Sequence, residues 1–101
     1  MKEKEYGLQF EWDRRKAASN LRKHGVSFDE ASTVFHDSLG LIFDDGDHSI
    51  DEPREIIVGH SATGRLLLVS FVERRENVIR IISARTTTTS ERDDYEEDQR
   101  H

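Results

Sequence analysis

Apolar positions change their period several times along the chain, and each change marks an element. Leu8, Phe10 and Trp12 alternate with Gln9 and Glu11, the period-two signature of a short half-buried strand. A helix is expected directly after it. Asp13 can cap its start, and the run Arg22-Lys23-His24 before Gly25 puts cations at the negative helix end and a residue tolerant of positive φ just past it. The apolar face of this helix reads Ala17, Ala18 and Leu21. Ser27 opens a second helix, with Glu30 at capping-box spacing and Phe28, Ala31, Val34 and Phe35 as its stripe, ending near His36-Asp37.

From Leu39 to Phe43 the pattern becomes that of a strand, followed by the acidic, turn-forming stretch DDGDHSIDEP, which reads as a mobile loop. Three further strand patterns, Glu55–Gly59, Leu66–Val72 and Val78–Ala84, are separated by Ser61-Ala62-Thr63-Gly64 and Arg74-Arg75-Glu76-Asn77. They form an antiparallel meander. Thr89 or Ser90 can cap a last helix running through Glu91, Tyr95 and Gln99. The order β-α-α-β-β-β-β-α predicts an α+β fold, an antiparallel sheet with helices packed on it.

Composition narrows the picture. With 101 residues, 34% hydrophobic and 36% charged, the chain is sized for one domain with a thin core, a design that favours stabilisation by a partner. The absence of cysteine excludes disulfides and Cys-ligated zinc or iron–sulfur sites, and suits the cytoplasm. No apolar run approaches the ~20 residues that span a bilayer, so neither export nor membrane insertion is expected.

The net charge of −6 opposes nucleic-acid binding, yet its distribution is uneven. Residues 1–25 hold seven Lys/Arg against four Asp/Glu, and residues 61–85 hold five against two. A basic site assembled from these two blocks fits inside an acidic molecule, because local field outweighs total charge at short screening lengths.

Two constellations could carry chemistry. Lys16, Asn20, Lys23 and His24 follow one side of the first helix. That stripe reads either as a solvated face complementing the helix dipole or as an RNA-facing edge, with His24 suited to proton transfer near neutral pH. The second set is Arg65, Arg80 and Arg85 in the meander. Arg80 lies within an apolar strand and therefore needs a carboxylate partner or a ligand anion. Arg85 has the opposite parity, so the two arginines share a face only if the strand ends or bulges near Ser83-Ala84. Guanidinium groups suit phosphate and the charge of a pentacoordinate transition state.

Metal and cofactor chemistry have little to rest on. His36, His48, His60 and His101 lack zinc-site spacing, Asp44, Asp45, Asp47 and Asp51 lack that of a calcium loop, and no phosphate-cradling glycine loop occurs. RNA cleavage remains, where the 2′-hydroxyl is the nucleophile and no cofactor is needed.

The segments F-E-W-D-x-x-K-x-x-x-N-x-x-K-H-G-V-S-F-D-E-A at Phe10–Ala31 and R-I-I-S-A-R at Arg80–Arg85, with Glu91 and Tyr95-Glu96 following, resemble the BrnT family of toxins. The resemblance implies a RelE-like ribonuclease fold and metal-independent RNA cleavage that inhibits translation. It also implies neutralisation by a BrnA-type antitoxin with a DNA-binding domain, through which alone operator DNA is reached. The family's shared polar positions fall on Lys16, Asn20, Lys23, His24, Arg65, Arg80, Arg85, Glu91 and Tyr95. We expect Lys23, His24, Arg65, Arg80 and Arg85 to be catalytic, and Lys16, Asn20, Glu91 and Tyr95 to bind substrate. After Arg85 the chain departs from the family, with Thr86–Thr89 and Ser90 in place of a basic stretch. A weakened toxin acting as antitoxin-binding corepressor and a plain nucleic-acid-binding module are the rival readings. The antitoxin is expected to cover a sheet edge and the Arg65, Arg80 and Arg85 surface.

Overall fold

The computed structural model describes residues 7–46 and 53–100, so most of the acidic stretch read as a loop, including Asp47 and Asp51, lies outside the described residues. The chain forms β1 (Gln9–Glu11), α1 (Arg14–His24), α2 (Phe28–Thr33) with one 3₁₀ turn at Val34–His36, and β2 (Leu41–Asp44). There follow β3 (Arg54–His60), β4 (Leu66–Arg75), β5 (Val78–Thr86) and α3 (Thr89–Gln99). This is the expected order. The five strands form one sheet in the order β1-β5-β4-β3-β2.

One pairing corrects the purely antiparallel expectation. β2 to β5 are joined antiparallel, but β1 runs parallel to β5, with Gln9 opposite Val78 and Glu11 opposite Arg80. Short turns force antiparallel neighbours only where strands follow one another, and two helices separate β1 from the meander. β1 thus joins the free edge of the last strand.

The helix caps follow from local sequence. Asp13 accepts hydrogen bonds from the backbone N–H groups of Arg15 (2.9 Å) and Lys16 (3.0 Å), and Gly25 ends α1 with φ +69°. At α3 the cap is Thr88, one residue before the expected pair. Its hydroxyl accepts from Glu91 N–H while the Glu91 carboxylate accepts from Thr88 N–H, closing a reciprocal box that neither Thr89 nor Ser90 makes. At α2 only half the box forms: Ser27 accepts from Glu30 N–H, while the Glu30 carboxylate is used elsewhere.

Helices α1 and α2 cover one sheet face. Its core gathers Val26, Phe28, Ala31 and Val34 against Ile57, Leu67, Val69, Phe71, Ile79 and Ile81. The rings of Phe35 and Phe71 meet edge to face at 4.9 Å, and Trp12 meets Phe28 likewise at 5.8 Å. α3 packs on the opposite face, where Tyr95 joins Val58 and Leu66 in a smaller cluster. Among the described residues no helix is long and apolar enough to cross a membrane.

The face that α1 buries differs from the one its apolar residues suggest. Ala17 packs on the core, but Ala18 faces out, Leu21 is 51% exposed, and Asn20 is buried. Hydrogen bonding explains the rotation. β1 stops opposite Arg80, leaving the outer edge of β5 open beyond it. The Asn20 amide fills that edge like one peptide unit of a missing strand: Ala84 N–H donates to its Oδ1 at 3.1 Å, and its Nδ2 donates to Ala84 O at 2.7 Å. The same Nδ2 reaches Val26 O at 3.0 Å, tying in the chain after α1.

Asn20→Leu should therefore destabilise the fold by about 2–4 kcal/mol, since buried backbone donors and acceptors lose their only side-chain partner. Urea unfolding measures this. A loss below about 0.5 kcal/mol, the scatter of neutral surface changes, would show that water replaces the amide without penalty.

Candidate active site

The site begins with the register of β5. Arg80 stands opposite Val72 of β4 on one side and Glu11 of β1 on the other, so its side chain leaves the sheet on the face that carries α3. Further along, Ser83 pairs with Ser70 while Ile81 pairs with Phe71, which makes Ile82 an extra residue. This bulge restores the parity of the two arginines. Arg85, opposite Leu68, projects on the same face as Arg80, the condition on which a shared site depended. A residue rise of ~3.3 Å separates their backbones by roughly 13–16 Å, a span that matches different phosphates of one strand better than a single one.

Each arginine has found a carboxylate. Arg80 Nη1 lies 3.3 Å from Glu11 Oε2, with both side chains about one-third exposed (33% and 37%). Such an exposed, single-contact pair contributes little to stability. The Arg85 fork is filled differently: Nη1 donates to Glu91 Oε1 at 2.8 Å and Nη2 to Oε2 at 2.9 Å. That fork, aided by Thr88 and working against burial, lowers the Glu91 carboxyl to about 2.

Arg65 does not join them. It precedes Leu66, which faces α3, so Arg65 turns to the α1–α2 side of the sheet. Its Nε donates to Glu30 Oε2 at 3.0 Å and its Nη2 to Glu30 Oε1 at 2.5 Å and to Gly25 O at 3.0 Å. Ser61 and Thr63 hydroxyls also donate to Glu30 Oε2, both at 2.7 Å. The guanidinium holds the Glu30 carboxyl at about 2 against burial. Arg65 thus pins the α1–α2 corner to the β3–β4 turn.

Two other expected substrate ligands are committed inside the fold. Asn20 serves the β5 edge. Tyr95 is buried, its hydroxyl donating to Asp37 Oδ2 at 3.5 Å and its ring lying edge to face with His60 at 5.6 Å. Asp37 also accepts from the backbone N–H of His60 (2.7 Å) and Leu39 (2.9 Å). Burial alone would raise its carboxyl; these donors outweigh it and hold the group below its ordinary value. The approach requires glycine at position 59, where a Cβ would sit 3.0 Å from Asp37 Oδ2. Lys16, Lys23 and His24 are exposed on α1, which packs on the sheet face opposite Arg80.

The structure therefore unites Arg80, Arg85 and Glu91 on one face and separates Arg65, Asn20 and the basic side chains of α1 from them. Glu11 was the missed partner. The signal lay in the sequence, since an arginine amid apolar strand residues calls for a carboxylate and Glu11 alternates with the buried positions of β1. Among the described residues, no group of three or more His, Cys, Asp and Glu side chains could hold a metal ion.

The fold is an α+β domain whose five-stranded sheet carries Arg80 and Arg85 on one face. A family model described as the ribonuclease toxin, BrnT, of type II toxin–antitoxin systems matches residues 12–91. The chain belongs to this BrnT family. Among solved structures, the ribonuclease toxin BrnT of Brucella abortus, determined at 1.1 Å, is similar at a TM-score of 0.64 with 20% sequence identity. The match covers 81% of this chain and 99% of that one, and at such identity it speaks for the fold. No curated protein matches.

The two forks carry a pH signature. Glu30 and Glu91 both fall from an ordinary 4.5 to about 2 in the folded chain, so their contribution is complete above 4.5 and is lost as the pH falls toward about 2. Thermal melts of the wild type should drop through this window, and the slope should flatten in Glu30→Gln and Glu91→Gln. An unchanged slope in both variants would show that the pairs leave acid stability untouched.

Proposed function

We propose that the chain is a metal-independent endoribonuclease that inhibits translation and is neutralised by a BrnA-type antitoxin. The observation that carries this reading is Arg80, which stands on an open sheet face with a single weak ion pair and with Arg85 turned to the same side by the bulge. A guanidinium so placed can exchange its carboxylate for a phosphate and stabilise the dianionic phosphorane formed when a 2′-hydroxyl attacks. Arg80 takes the scissile phosphate. Arg85, oriented by Glu91, takes a neighbouring one. Lys16, Lys23 and His24 line the outer side of α1 and guide the RNA backbone toward the site; packing of α1 on the far face removes Lys23 and His24 from proton transfer at Arg80.

The antitoxin's place is also revised. Arg65 lies on the α1–α2 side of the sheet, held by Glu30, so it shares no docking surface with the other arginines. Exposed apolar area gathers instead at the sheet edge, where Ile42 (56%) and Phe43 (52%) of β2, whose outer edge has no strand partner among the described residues, lie near Leu39 (58%). A groove of about 380 Å³ runs beside it between Leu41, Phe43 and Ile56 and the α3 residues Tyr95 and Asp98. An added antitoxin strand or helix would bury this area and overhang Arg85. Operator DNA would be reached through the antitoxin's own DNA-binding domain. The corepressor reading draws support from α3, whose acidic residues Asp93, Asp94, Glu96, Glu97 and Asp98 repel RNA phosphates.

Purified protein should cut single-stranded RNA in excess EDTA, and Arg80→Ala should slow cutting by about 10²–10³-fold with the circular dichroism spectrum unchanged. Complete loss in EDTA, restored by Mg²⁺, would overturn the metal-free mechanism. Wild-type protein that binds antitoxin yet cuts no RNA would favour the corepressor.

A further inference from the structure

We infer that Glu11 is the general base of RNA cleavage, a role that rests on the ribonuclease reading above. Three carboxylates lie near the two arginines and their flanking helices, and their hydrogen bonding separates them. Both Glu91 oxygens are held in the Arg85 fork, and Oε1 also accepts from Thr88 N–H, so that carboxyl, lowered to about 2, is a poor proton acceptor. Asp13 is bound into the α1 cap; the N–H of Lys16, then that of Arg15, lowers its carboxyl against the opposing effect of burial. Glu11 has one contact, from Oε2 to Arg80 Nη1 at 3.3 Å, and its other oxygen has no partner among the described residues. It is accessible and adjacent to the guanidinium that would hold the phosphate.

The parallel pairing of β1 with β5 is what makes the site. It sets Glu11 opposite Arg80 on the same face, so a phosphate drawn to the free donors of Arg80 arrives beside the free oxygen of Glu11. The proton of the 2′-hydroxyl passes to that oxygen as the O2′–P bond forms. The P–O5′ bond then breaks, the 5′ oxygen takes a proton from water, the hydroxide left behind takes the proton held by Glu11 and restores its carboxylate, and the products are a 2′,3′-cyclic phosphate and a 5′-hydroxyl. Charge moves favourably during this step. Protonation removes the negative charge that held Arg80, and the guanidinium becomes wholly available to the phosphorane at the moment its second negative charge develops. Arg80 of β5 is the charged group paired with Glu11, and the carboxyl of Asp13 at the start of α1 feels the same guanidinium.

The test is single-turnover and steady-state cleavage of a single-stranded RNA oligonucleotide by the full chain across pH, with Glu11→Gln and Glu11→Asp beside wild type. Glutamine keeps a hydrogen-bond acceptor for Arg80 and removes the base. The expected result is a kcat reduced by about 10²–10⁴-fold with KM changed less than about threefold, and loss of the acid limb of the pH–rate profile. Aspartate should restore the acid limb at a reduced rate. Melting curves matching wild type confirm that the fold is kept. Glu11→Gln that cuts as fast as wild type, or faster, would overturn the proposal, because the carboxylate would then only compete with phosphate for Arg80. A change confined to KM would overturn it too. Both results leave the ribonuclease reading standing, whereas wild-type protein that yields no 2′,3′-cyclic phosphate from RNA would remove that reading and the base with it.

Discussion

The amide of Asn20 on the edge of β5 is the contact from which the arrangement of the site follows. β1 is only three residues long and covers β5 as far as Arg80, so the second half of the strand would face α1 with unpaired backbone groups. One side chain supplies the missing partners and reaches Val26 O as well. Several consequences follow together. The helix is rotated about its axis, leaving Leu21 outside; the chain entering α2 is tied down; and β5 is held at Ala84, the neighbour of Arg85.

Around this clamp, a chain with few apolar residues uses ion pairs where a larger domain would use packing. Arg65 with Glu30 closes the α1–α2 corner, and Arg85 with Glu91 links the last strand to the cap of α3. Both are bidentate, the geometry in which guanidinium–carboxylate pairs hold an orientation as well as a distance. Arg80 and Glu11 are the exception, joined by one contact at 3.3 Å. The contrast separates the two arginines held in bidentate pairs from the one joined to its carboxylate by a single contact. Family membership does not make this distinction, because the family match over residues 12–91 spans all three arginines alike.

The acidic balance also acquires a location. α3 carries most of the C-terminal negative charge on the surface away from the core, beside an edge strand that exposes Ile42 and Phe43. Apolar area with an acidic border attracts a protein segment and repels a polyanion, while the open face of β1 and β5 does the reverse. Under the proposed function, RNA and antitoxin then occupy adjoining regions rather than one shared surface.

Most elements were legible in the sequence because their causes are local. The Leu8–Trp12 alternation, the Asp13 and Ser27 caps, Gly25 at positive φ and the three meander strands each depend on residues within a few positions of one another. So did the requirement that Arg80 have an anionic partner, and the condition that only a strand end or a bulge could bring Arg85 to its side. What stayed hidden was set by groups distant in sequence. Asn20 looked like part of a solvent-facing basic stripe because its i, i+4 neighbours are polar, and only the open edge of a strand 64 residues away explains its burial. Arg65 and Tyr95 read as site residues until Glu30 and Asp37, 35 and 58 positions distant, were seen to engage them. The sequence by itself determined the elements and the residue types able to bind phosphate. Tertiary structure decided which of those residues remain available, because a charged or amide side chain cannot be buried without a partner and the fold alone chooses the partners.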